Sequence, residues 1–479
     1  MSEGRYLINQ DLNRPFPQAA RGEGLYLYDR QGKRYIDGCS GALVANCGHG
    51  VAEIPRAMTA QAESLAYVYR FHFSSPLAEE LAGRYCHLTD RPMARAYFTN
   101  SGSEAVEAAV KLARARHLAA GESDRYKIIS RWQSYHGITM GALSWSGFTA
   151  RRADYQPYLN DFVHLPPAYC YRCWFGRRPD TCGLECALAL ETAILTEGPS
   201  TVSAFLAEPV VGSALGAAHP PAGYFQVIRD ICDRHGVLFI AEEVMTGAGR
   251  TGGTFFASDH FPGRPNLITF GKGAGAGYYP LSGVLIDPET ADALVSGRGG
   301  FSAGQSYSGH PVGMAAGLAV LDYMDKHDLT ARAASMGQYL GQRLKTLLDH
   351  PSVGDVRGLG LMWGLEFVRD KTTRETFDPA RQFHLRLYRA ALENGVIFLP
   401  SGGCDRGRAG DLALFGPPLI ITREQIDDMV EGFGQALSRV ESEFGVQAGR
   451  PAPHVHRSFP SSGLGTPHGL ETSKRRLNC

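Results

Sequence analysis

Short apolar runs separated by helical stretches organise the middle of the chain. Residues 204–207, 237–241 and Leu267–Phe270 read as buried strands, and Tyr224–His235 has the spacing of an amphipathic helix. This alternation, from about residue 63 to residue 323, predicts an α/β domain built on a mostly parallel sheet. Ahead of it, residues 25–28 and 34–37 flank Asp29-Arg30-Gln31-Gly32-Lys33, which reads as a hairpin with a glycine turn. Beyond Asp322 a long helical pattern leads to apolar segments at 353–358, 361–367 and 395–399, and Thr422 is placed to cap a last helix with an acidic first turn. Residues 1–62 and 324–446 are therefore expected to form one smaller α+β domain in two parts, around a large domain at 63–323. From 447 to 479 the chain is rich in Pro, Ser, Gly and His and is expected to be a disordered tail.

Two strand ends carry chemistry. The run 239–241 closes on Glu242-Glu243-Val244, and Leu267–Phe270 leads into Gly271-Lys272-Gly273 and further glycines up to Pro280. An amine and a carboxylate at the ends of two buried strands match the way a pyridoxal-phosphate enzyme holds its aldehyde and charges its ring nitrogen. Upstream, Tyr97-Phe98-Thr99-Asn100 passes through Ser101-Gly102-Ser103 into a helical pattern from Val106 to His117. A helix that begins this way offers free N–H groups and a positive dipole end to a phosphate, although Ser101 or Ser103 would serve equally as an ordinary N-cap. Ser134-Tyr135-His136-Gly137 places an aromatic at a strand-to-loop boundary, where it is either core or a stacking face for a flat ring.

In this order the motifs resemble the class III (omega) aminotransferases, pyridoxal-phosphate enzymes of fold type I. The resemblance is carried by residues 101–105, Tyr135-His136-Gly137, Ala207-Glu208-Pro209, Glu242-Glu243-Val244 with Thr246-Gly247-Ala248-Gly249-Arg250-Thr251-Gly252, Lys272, and Ser306-Tyr307-Ser308-Gly309-His310-Pro311, within a match from about residue 21 to residue 445. It implies transfer of an amino group from a primary amine or omega-amino acid to a 2-oxo acid such as pyruvate. A decarboxylase or epimerase on the same site, and a non-catalytic scaffold, are the alternatives.

The resemblance also assigns roles. Lys272 is the Schiff-base lysine and proton carrier, and Glu242 stands where the family has aspartate against the pyridine nitrogen. Ser101, Gly102 and Ser103 bind phosphate, Tyr135 and Val244 cover the two ring faces, and His136 and Glu208 complete the cofactor site. Ser306 replaces a threonine that reaches the phosphate of a neighbouring subunit, which implies a homodimer with shared sites. Glu208 is a switch residue in relatives that pair it with an arginine near the Pro417-Pro418 motif, but here Leu414 holds that arginine's place. A fixed clamp for a second carboxylate is missing, which weakens a reaction with 2-oxoglutarate and favours pyruvate or an unusual acceptor. Arg406 and Arg408, on a Gly-rich mobile loop, are candidate carboxylate contacts, and Leu43, Phe71 and Ile138 are candidate pocket walls.

Composition narrows the alternatives. Lys plus Arg and Asp plus Glu both number 48, so no basic field draws nucleic acid or anionic membrane. No apolar stretch approaches the roughly 18 residues of a spanning helix, and residues 1–5 do not open a signal segment, so a cytoplasmic enzyme is expected. Gly247-Ala248-Gly249-Arg250-Thr251-Gly252 fits a dinucleotide fingerprint, but residues 253–256 do not continue as a helix, which removes the nicotinamide reading. Cys170-x2-Cys173-x8-Cys182-x3-Cys186 resembles zinc-ligand spacing, against a reading as plain reduced thiols in an insertion; no metal is assigned from the sequence.

Overall fold

The computed structural model describes residues 6–8, 16–90 and 92–446; the expected tail lies outside these residues. A seven-stranded sheet forms the centre. Its order is Arg95–Thr99, Ser282–Ile286, Leu267–Phe270, Leu238–Glu243, Val202–Ala207, Lys127–Arg131 and His164–Leu165. Ser282–Ile286 runs antiparallel to both its neighbours, and the other pairings are parallel.

Both faces of this sheet are buried, and the period of two sorts its side chains between them. Ile128, Ala204, Leu206, Leu238 and Ile240 join Ala105, Val106, Ala109 and Leu112 of the helix Gly102–Ala119. Ile129, Phe205, Ala207, Phe239 and Ala241 face the other way, into a cluster with Phe225 and Ile228 of the helix Tyr224–His235. That helix has the bounds its sequence pattern predicts, because Gly236 at φ 64 ends it in the left-handed conformation that glycine adopts without strain.

The flanking segments build two four-stranded sheets. Ala19–Glu23, Tyr26–Asp29 and Arg34–Asp37 form an antiparallel meander, and Val396–Ile397 adds to it in parallel, so segments from before and after the central sheet share one sheet. The other sheet has the order Val353–Leu359, Met362–Phe367, Ala409–Phe415, Leu399–Asp405. The last described helix, Arg423–Phe444, starts in a capping box. Thr422 Oγ1 accepts from Gln425 N at 3.3 Å, and Gln425 Oε1 accepts from Thr422 N at 3.0 Å. Thr422→Ala is expected to cost about 1 kcal/mol, measured by chemical denaturation, with turnover unchanged.

Candidate active site

The site gathers at the C-terminal ends of the parallel strands, where open α/β sheets leave a crevice. Alternation along Leu238–Glu243 gives its two glutamates different work. Glu243 is fully buried and accepts from Ala257 N at 2.6 Å, Ser258 N at 2.8 Å and Thr246 Oγ1 at 3.0 Å, so it ties down the chain that follows. Burial nonetheless pushes its carboxyl up to about 7. Glu242 continues the face of Leu238 and Ile240, the face covered by Gly102–Ala119. Its Oε1 accepts from Val244 N at 2.9 Å and its Oε2 lies 3.5 Å from His136 Nδ1.

Lys272 follows the strand beside Glu242, in a short 3-10 turn over residues Lys272–Ala274. Its φ of 45° is a left-handed conformation that a non-glycine residue holds only when its surroundings impose it. Burial draws its amine down to about 8, against the opposing pull of Glu242 and Glu208.

Gly102–Ala119 aims its N-terminus into the same space. Ser101 is the N-cap, its Oγ accepting from Glu104 N at 3.3 Å, while Ser103 Oγ accepts from Ile138 N at 3.0 Å. The first-turn amides at Gly102 and Ser103 have no partner within the helix. Val244 connects this corner to the lysine: a Cβ on Gly102 would meet Val244 Cγ1 at 2.6 Å, and one on Gly271 would meet the same atom at 3.1 Å. The start of the helix and the residue before Lys272 thus both pack against one side chain.

His136 and Glu208 close the polar side. Both ring nitrogens of His136 and Oε2 of Glu208 are buried without a hydrogen-bond partner. Glu208 Oε1 receives Tyr135 N at 3.4 Å, and Arg131 donates to the Glu208 carbonyl at 2.6 Å with its guanidinium 3.9 Å from Oε2. Burial raises the Glu208 carboxyl to about 7, with Glu242 pushing the same way and His136 and Arg131 opposing. Orphaned polar atoms around a helix N-terminus and an amine of lowered pKa fit a flat, phosphorylated, nitrogen-bearing ring.

The other candidates divide between buried and exposed positions. Leu43 and Leu414 are buried together with Val210, Ala217 and Met362, so the position of the switch arginine is closed by apolar packing. The segment read as a mobile loop at Arg406 and Arg408 is a hairpin between Leu399–Asp405 and Ala409–Phe415; Gly407 N bonds to Gly403 O at 2.9 Å, and both arginines are exposed. Arg406 stacks over Trp174. Phe71, Ile138 and Ser306 are exposed, and Tyr67 donates to the Ser306 carbonyl at 2.9 Å. Arg131 was not singled out by sequence reasoning. Its only signal is its place as the last residue of a strand whose other members are apolar-edged, and an arginine there reads as solvated.

The fold is that of the fold type I pyridoxal-phosphate transaminases. The chain superposes on an (S)-enantioselective omega-transaminase from Thermomicrobium roseum with a TM-score of 0.85 at 38% identity, covering 91% of this chain and 96% of that one. The omega-transaminase of Pseudomonas jessenii in complex with PMP gives a TM-score of 0.84 at 33% identity, covering 90% and 94%. The aminotransferase class-III model matches residues 8–437, and the protein belongs to that family. Among curated relatives, the uncharacterized aminotransferase YodT of Bacillus subtilis is 35% identical over 91% of this chain and 98% of its own length. The diaminobutyrate–2-oxoglutarate transaminase of Halomonas elongata is 36% identical over 88% and 89%. The chain is accordingly a transaminase, and the decarboxylase, epimerase and scaffold readings give way to that assignment.

Proposed function

We propose that this transaminase binds pyridoxal 5′-phosphate and carries an amino group from a primary amine or omega-amino acid to a 2-oxo acid such as pyruvate, acting as a cytoplasmic homodimer. The observation that carries the reading is the meeting of Lys272, Glu242 and the N-terminus of Gly102–Ala119 around Val244. When bound, the cofactor supplies the electron sink that lets a C–H bond beside nitrogen break. Lys272 would hold its aldehyde end, and its amine, free in the neutral form, would carry the proton at the substrate carbon. Glu242 would face the ring nitrogen and keep it protonated, Tyr135 and Val244 would cover the ring, and the amides at Gly102 and Ser103 would hold the phosphate.

The acceptor preference rests on the apolar packing of Leu43, Leu414 and Met362, with Leu414 standing where the resemblance expects an arginine clamp for a second carboxylate. The name of the Halomonas relative, by contrast, specifies 2-oxoglutarate. A donor panel followed by pyruvate and 2-oxoglutarate tests it: pyruvate is expected to regenerate the starting absorbance faster, and the reverse order would overturn the preference.

Support for the homodimer is a surface of exposed Tyr67, Tyr69, Phe71, Phe73 and Tyr307 beside Ser306, an apolar area of the kind that marks an interface. Sedimentation should give twice the chain mass, and a fully active monomer would remove the shared-site reading. The buried thiols of Cys39, Cys47, Cys86, Cys232 and Cys404 accord with a reducing compartment. Among the described residues no helix is long and apolar enough to cross a membrane.

Glu242→Asp should lower kcat by about a hundredfold with little change in KM, because the shorter arm withdraws the carboxylate from the ring by about a bond length. Faster turnover in the variant would show instead that the longer side chain handicaps the natural enzyme.

A further inference from the structure

We propose that Arg131 is a positioning residue for the transaminase: from the neighbouring strand end it fixes Glu208 through main chain and side chain, so that a charged carboxylate stays within reach of Lys272. The inference rests on the reading of Lys272 as the reacting amine of the site. Arg131 closes the strand Lys127–Arg131, and Glu208 follows Val202–Ala207, its parallel neighbour, so the two residues leave the sheet side by side. Arg131 donates to the Glu208 carbonyl at 2.6 Å, and its guanidinium lies 3.9 Å from Oε2. Both residues are shut off from water, at 1% and 4% exposure, so each charge depends on the other.

Arg131 is itself firmly held. Its carbonyl accepts from Ser134 Oγ at 2.7 Å, and Trp132 N bonds to Leu165 O at 2.8 Å. Gly147 packs so closely on the same carbonyl that no Cβ would fit, and the guanidinium sits 6.0 Å from the centre of the Tyr224 ring. Its short hydrogen bond goes to the main chain of Glu208 and leaves Oε2 without a hydrogen-bond partner. The carboxylate is therefore steadied without being captured. A guanidinium keeps its proton at any working pH, so Arg131 acts as a constant charge. With Leu414 where the resemblance expects an arginine, the guanidinium that meets Glu208 comes from this strand end instead.

The charges that bear on Glu208 are those of His136, Glu242 and Arg131; those that bear on Lys272 are Glu242, Glu208 and Arg250. Burial and Glu242 push Glu208 toward its neutral form, while His136 and Arg131 hold it charged. Charged Glu208 in turn lifts the Lys272 amine against its own burial. Arg131 thus reaches the lysine through Glu208, and this fixes a sign. Deleting a cation beside an amine ordinarily raises the pKa of the amine. Deleting Arg131 instead lets Glu208 take up a proton, and the Lys272 amine should fall away from the working pH that suits a proton carrier.

The test reads that amine directly. Full-length apoenzyme is treated with cyanate, which carbamoylates neutral amines, across the pH range in which lysine titrates, and modification of Lys272 is followed by peptide mass spectrometry. The wild-type midpoint is expected near 8. Arg131→Met and Glu208→Gln should each lower it by about one pH unit, whereas Arg131→Lys, which keeps the charge, should stay close to wild type. In the Glu208→Gln background, Arg131→Met should add nothing. A midpoint that holds or rises in Arg131→Met, or a further fall in the double variant, would overturn the proposal. Glu208→Gln keeps the carbonyl that Arg131 grips, so it reports even where Arg131→Met does not fold, and an unshifted midpoint there would sink the proposal as well. Cofactor uptake by the same proteins, followed by absorbance, separates the two readings. A lowered labelling midpoint without any uptake would remove the pyridoxal-phosphate reading and leave the link from Arg131 to Lys272; uptake with an unshifted midpoint would do the reverse.

Discussion

Lys272→Ala is expected to abolish transamination, lowering kcat by roughly four orders of magnitude, the upper range for a positioned proton carrier that also holds the reacting group. The variant should take up cofactor only reversibly and lack the visible absorbance of the lysine-bound form; retention of that absorbance would remove Lys272 from its role. The left-handed backbone persists with alanine, so the loss should come without a large change in unfolding midpoint. The same residue predicts a pH profile. Its amine is drawn down from the ordinary lysine value of 10.5 to about 8, so the neutral, nucleophilic form grows as pH rises through 8. Cofactor uptake by the apoenzyme should accelerate over that interval and level off above it. A profile still climbing steadily to pH 10 would mean that the amine is not desolvated as the structure has it.

Arg250→Ala is expected to be the most damaging change outside the chemistry, at about 3–5 kcal/mol in denaturant unfolding, because it strands several buried acceptors at once. Arg250 is wholly buried and donates to Leu361 O at 3.1 Å, Pro417 O at 2.5 Å and the side-chain oxygen of Asn46. Asn46 in turn donates to Ala248 O at 2.9 Å. One guanidinium thus joins the segment after Glu243, the N-terminal part of the chain and the Pro417-Pro418 stretch. Burial lowers even this group to about 9, the expense of placing a cation where water does not reach. Arg250→Lys should recover little, since a single ammonium cannot reproduce the fork. Near-wild-type stability of either variant would show that ordered water replaces the missing donors.

Much of the fold was legible because the central strands bury both faces. Runs such as Leu267–Phe270 admit no other reading once helices alternate with them, and the bounds of Tyr224–His235 follow from its period and its closing glycine. The antiparallel Ser282–Ile286 was not legible, since strand direction depends on partners far along the chain and leaves no local pattern. The site divides in the same way. Lys272, the Ser101-Gly102-Ser103 turn and Tyr135 announce themselves by motif. The pairing of Arg131 with Glu208 and the apolar closure around Leu414 depend on packing across elements, where sequence spacing has no purchase. The glycines near Arg406 read as a mobile loop because glycine marks both turns and flexibility, and only the strand pairing of Asp405 with Ala409 decides between them.

The neighbouring carboxylates of Glu242 and Glu243 show how much rests on parity. Counted from Leu238, even steps lead to the crevice and odd steps to the anchor at Ala257 and Ser258. A single residue gained or lost within that strand would leave its composition nearly unchanged and exchange the duties of the two acids. Register therefore tolerates a change of two residues in this strand better than a change of one, a constraint that surface loops do not share.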